Sequence, residues 1–177
     1  MGNHLIGFSL TLALVLGIGE RASAGPFDRP TTSYGSAVND ALEQAGSELR
    51  FRMERCGAVP QSECHYSSPR VAIVVLGGEE PTHIGRIIIA ADILKDHPTT
   101  LPHVVVLDAL ITLAATMIIF DPDLAAERRN GMVASLAESV HTTGHGEASG
   151  IAADYGIELR EAASTLLVIT AMPKAKL

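Results

Sequence analysis

The feature that most constrains this chain is an unbroken apolar run, Val71-Ala72-Ile73-Val74-Val75-Leu76, set between Pro69 and the pair Gly77-Gly78. β-Branched side chains lose rotamer freedom in a helix and pack well on a pleated surface, so the run predicts a strand. A strand with one face in water alternates apolar and polar residues; this one does not, and the pattern predicts cover on both faces. The fold must therefore bury a sheet. With 47% hydrophobic residues and a net charge of -7, the chain has the material for a core. The same balance excludes intrinsic disorder, and two cysteines are too few for a disulfide-dense mini-protein.

The first residues, MGNHLIGFSLTLALVLGIG, are apolar from Leu5 and are followed by Ala22-Ser23-Ala24, an A-x-A site. This is the pattern of an export signal cleaved after Ala24, although no Lys or Arg precedes Leu5. The expected organisation is a signal peptide over 1–24, an extended leader over 25–30 and a single globular domain over 31–177. The expected location is periplasmic or secreted. Roughly 150 residues then remain, a size that buries roughly 68–70% of the unfolded surface. In an oxidising compartment an even cysteine count favours a bridge, and Cys56 and Cys64 flank a turn-forming stretch with Gly57 and Pro60. A Cys56–Cys64 disulfide is predicted.

Further along, Val38, Leu42, Ala45, Leu49 and Met53 lie at helical spacing, with Ser36 as the expected cap and Cys56 as the limit. Ile84, Ile87, Ile88, Ala91 and Leu94 form a second such stripe, capped by Thr82 and ended by Asp96-His97-Pro98. Residues 101–120 read equally as one apolar helix or as a strand and a helix. Asp121-Pro122-Asp123 then marks a helix start, 141–150 a loop, and 165–170 a last buried strand. The expected fold class is α/β or α+β, a single small domain with about four helices on a small sheet; the alternative is mainly α. Residues 104–120 also approach the length of a membrane span, with Asp108 as their one charge, and a buried core element is preferred.

Gly77, Gly78, Pro81, His83 and Gly85, followed by Arg86, are the stretch richest in chemistry. The order of strand, two glycines, Pro, His and Gly resembles the nucleotidylyltransferase superfamily, particularly the nicotinate-mononucleotide adenylyltransferases, in which H-x-G-H opens a helix. Arg86 stands where that pattern has its second His. The resemblance implies a nucleotide or phosphate site in which glycine N–H groups, a helix N-terminus, His83 and Arg86 hold the anion.

A second cluster, His141, His145 and Glu147, offers ligand types suited to a divalent metal. No G-x-S-x-G elbow is present, and Ser135 falls within a helical pattern. No catalytic residue is assigned and no cofactor is expected. The absence of a run of Lys or Arg argues against nucleic acid, and no other partner or oligomeric state is specified. The leading expectation is a small exported accessory or binding protein without a complete catalytic constellation. A degenerate nucleotidylyltransferase-like domain and a metal-binding protein are the alternatives.

Overall fold

A computed structural model describes residues 25–57, 63–78, 83–93, 102–161 and 164–174. The expected signal peptide, the expected cap at Thr82, Leu94 and the stop at 96–98 lie outside the described residues. A 3-10 turn (Thr31–Ser33) enters α1 (Tyr34–Gln44). Four strands follow: β1 (Arg52–Cys56), β2 (Glu63–Ser67), β3 (Ala72–Gly77) and β4 (Ile84–Asp92). Helices α2 (Pro102–Phe120) and α3 (Ala126–Thr143) lead to β5 (His145–Ser149), β6 (Ala153–Glu161) and β7 (Thr165–Pro173). The strands form one seven-stranded sheet in the order β1-β2-β3-β4-β7-β6-β5, with every neighbouring pair antiparallel.

The expected fold class is corrected by this sheet: about four helices on a small sheet, or a mainly helical fold, become three described helices on seven antiparallel strands. The largest error lies in 84–92. Its isoleucines satisfy a helical stripe, but β-branched residues in succession also satisfy a strand, and pairing with β3 on one side and β7 on the other decides between them. The strand returns antiparallel to β3, so the expected strand-turn-helix unit is a hairpin.

Helix α1 ends well before Cys56 because Gly46 takes a left-handed φ of 71°. The N–H of Ser47 then bonds to the carbonyl of Leu42, and that of Gly46 to Glu43, which satisfies the terminal carbonyls and turns the chain away. Leu49 and Met53, expected on the helix, lie beyond it, Met53 in β1. Residues 141–149, expected to be a loop, divide between the last turn of α3, Gly144 at φ 80° and β5.

The core occupies one face of the sheet. Ile73, Val75, Ile87, Ile89, Ile169, Tyr155 and Ile157 are buried there beneath the helices. Helix α2 is a single apolar helix packed against the sheet, α1 and α3, and Arg70 pairs with its Asp108. Phe120 at its end stacks on Phe27 with ring centroids 4.0 Å apart and on Tyr34 at 6.0 Å. Each buried tyrosine hydroxyl has a partner: Tyr34 Oη shares a hydrogen bond of 2.7 Å with Thr116 Oγ1, and Tyr66 Oη donates to the Thr31 carbonyl at 2.7 Å. The Cys56–Cys64 disulfide is present and joins directly opposed residues of β1 and β2. Closing a loop this short stabilises the fold by roughly 2.5 kcal/mol on the chain-entropy account.

Candidate binding surface

Because side chains alternate along a strand, burying Ile73, Val75, Ile87 and Ile89 turns Val74, Leu76, Ile88 and Ala90 to the opposite face. Leu166, Val168, Thr170 and Met172 of β7 join them. The three helices pack on the core face, so this outer face is a helix-free surface whose centre is apolar apart from Thr170 and, at the hairpin end of β4, Arg86. A solvated antiparallel sheet carries polar residues at these positions.

The register orders this face in rows. One runs Arg55, His65, Val74, Ile88, Thr170, Gly156, Glu147 from β1 to β5. The next runs Arg52, Ser67, Ala72, Ala90, Val168, Glu158, His145. Charge thus gathers at the two edges. Arg55 contacts His65 Nε2 at 3.2 Å, and His65 also contacts Glu63. At the far edge Glu147 and Asp154 give an acidic margin to a shallow hollow of about 520 Å³, deepened because Gly156 has no side chain.

Two clefts share Gly25, Pro26 and Asp28 as lining residues. One, of about 800 Å³, is lined by Asp28, Arg29, Asp40, Asp123 and Ile151 among others. The second, of about 680 Å³, is bounded by Pro26, Phe27, His83, Ile84, Pro173 and Lys174. His83 Nε2 lies 2.9 Å from Asp28 Oδ1, and Lys174 Nζ donates to the Gly150 carbonyl at 2.7 Å.

The residues expected to hold phosphate are arranged differently from the resemblance. Gly77 pairs with Ile84, and the Gly78 N–H donates to the His83 carbonyl at 2.8 Å, so these residues close the β3–β4 hairpin. A Cβ on Gly85 would stand 2.7 Å from Gly78 Cα, which explains glycine there by close strand approach. Among the described residues the chain after His83 enters strand β4, where the resemblance implies a helix. His83 reaches Asp28, while Arg86 is exposed on the outer face. Of the metal candidates, His141 lies on α3 and His145 and Glu147 on the outer face of β5. Among the described residues no group of three or more His, Cys, Asp or Glu is placed to hold a metal ion.

The pattern that marks the outer face is visible in the sequence as missing alternation in 71–76. Its meaning is not, because which face the helices cover depends on contacts far apart in the chain. No family model, curated protein or solved structure matches the chain.

Proposed function

We propose that this is an exported, non-catalytic binding protein that acts through the outer face of its sheet, with a second copy of the same chain as the partner that face fits. The observation that carries the reading is the apolar centre formed by Val74, Leu76, Ile88, Ala90, Val168 and Met172 on a face the helices leave open. An apolar face of this kind is stable in water when another layer covers it. The A-x-A site after the first apolar run supports export, and the Cys56–Cys64 bridge agrees with an oxidising compartment.

Size and the opposite charges at the two ends of the Ile88 row favour a second copy. Seven strands spaced about 4.8 Å apart and about 20 Å long present about 600 Å². That is the lower end of the area each partner gives to a specific interface. Two antiparallel sheets pack face to face at about 10 Å. A two-fold axis parallel to β4 sets Ile88 against its own counterpart and Val74 against Thr170, and it also sets Arg86, at the hairpin end of β4, against its own counterpart. The same operation brings Arg55 at one edge over Glu147 at the other, since the two end the same row.

Light scattering and sedimentation of the chain from Gly25 test the pairing. A dimer is expected, and Ile88→Asp should give a monomer with unchanged circular dichroism. Arg55→Glu should weaken the dimer and Glu147→Arg should restore it. A monomer at all concentrations, or a dimer indifferent to Ile88→Asp, would overturn the pairing.

A further inference from the structure

We infer that cleavage after Ala24 makes the new α-ammonium of Gly25 a structural element of the folded protein, docked on the carboxylate of Asp28. The inference rests on the export reading for the position of the cut and goes beyond it in what the cut does.

Residues 25–28 form a tight turn: the Asp28 N–H donates to the Gly25 carbonyl at 2.8 Å, with Pro26 as its second residue. Pro pre-sets the backbone for that position. The turn is held on the domain from two sides. Phe27 stacks on Phe120, and the Phe27 carbonyl accepts the Ile84 N–H at 2.9 Å. Within this frame the Gly25 nitrogen lies 2.5 Å from Asp28 Oδ2, while Asp28 Oδ1 faces His83 Nε2 at 2.9 Å. The carboxylate therefore has one oxygen aimed at the chain nitrogen and the other oriented by an imidazole. Both side chains of the His83–Asp28 pair are about two-thirds covered, with exposures of 33% and 28%.

In the uncut chain the Gly25 nitrogen is an amide with one proton and no charge. A signal peptidase adds water across the Ala24–Gly25 peptide bond. The hydroxyl goes to the Ala24 carbonyl carbon and a proton to the Gly25 nitrogen, and the amine takes a further proton from solvent. A hydrogen bond in which only the carboxylate is charged thus becomes an ion pair with charge on both partners. The ammonium also enters the walls of both clefts, because Gly25 lines each of them.

The test uses four chains, each released from a fusion by a protease that cuts directly before the intended first residue. Two begin at Gly25 and two keep Ser23-Ala24; one of each pair carries Asp28→Asn. With Asp28 present, the chain beginning at Gly25 should melt about 1–4 °C above the extended one. In the Asp28→Asn pair the difference should vanish. Equal melting with Asp28 in place would overturn the inference, as would a difference that persists in the Asp28→Asn pair. The intact mass of the naturally exported product separates the two readings: a first residue other than Gly25 overturns the processing reading and this inference together. A start at Gly25 with no melting difference overturns the docking alone.

Discussion

Tyr155 Oη donates a 2.6 Å hydrogen bond to Asp121 Oδ2, and both side chains are buried. The other oxygen of Asp121 accepts the backbone N–H groups of Ile151, at 2.8 Å, and Ala152. One carboxylate thus ties the end of α2 to the turn between β5 and β6. In the sequence Asp121 reads as the cap of a following helix, yet α3 begins only at Ala126. The β5–β6 turn presents two N–H groups that need an acceptor, and Asp121 serves them in place of a helix start.

Removing that acceptor should be costly. Asp121→Ala leaves a buried hydroxyl and two partly buried N–H groups without partners, and about 2–4 kcal/mol of stability should be lost. Tyr155→Phe removes one donor and leaves the carboxylate its two backbone partners, so about 1–3 kcal/mol is expected. Urea unfolding followed by circular dichroism measures both. Equal losses from the two substitutions would show that the backbone bonds to Asp121 carry no weight.

The tyrosines also set the alkaline limit of the fold. The chain has three, Tyr34, Tyr66 and Tyr155. Burial pushes all three hydroxyls above their ordinary range, and for Tyr155 the adjacent Asp121 charge adds to it. The folded state holds these protons more tightly than the unfolded chain does. Their contribution is therefore complete below about pH 10 and is lost as pH rises through the raised folded values. Each tyrosine that stays protonated lowers stability by up to about 1.4 kcal/mol per pH unit above that point. Tyrosinate absorbance at 295 nm should appear only as the protein unfolds. A gradual titration near the ordinary tyrosine value with the fold intact would contradict this.

Glycine at the β3–β4 hairpin is explained by strand approach, and this predicts a loss that needs no ligand. Gly85→Ala places a methyl group against the Gly78 backbone, which has no side chain to move aside, so about 1–3 kcal/mol should be lost. Arg86→Ala, on the exposed outer face, should change the stability of the isolated subunit by less than about 0.5 kcal/mol. ATP and inorganic phosphate should leave the melting temperature unchanged. A ligand-induced rise that disappears in Arg86→Ala would instead favour the phosphate site that the nucleotidylyltransferase resemblance implies.

Several elements are legible in the amino-acid sequence alone. The strand at 71–76, the strand beginning at Thr165 and the bridge between Cys56 and Cys64 follow from β-branched runs, flanking glycine or proline, and cysteine count. The helix of 101–120 is one of two readings, and its packing against three neighbours selects it. The isoleucines of 84–92 show where local reasoning runs out. Ile84, Ile87, Ile88 and Ala91 fit a helical face, whereas the fold buries Ile84, Ile87, Ile89 and Ala91 and turns Ile88 outward. A chain segment apolar at nearly every position has no period to read, so hydrogen-bonding neighbours choose its conformation.

Residue order alone settles which segments must leave water and where the chain must turn: apolar runs cost free energy when hydrated, and glycine and proline restrict the backbone locally. Direction and sidedness come from contacts between distant segments. Antiparallel pairing of β3 with β4 turned an expected phosphate turn into a hairpin, and three helices gathered on one face left Val74, Ile88 and Met172 on the other. The physical reason is range. A side chain's preference for burial acts at its own position, but the face it is buried on depends on ladders and contacts between segments such as β4 and β7, which close only when the whole sheet forms.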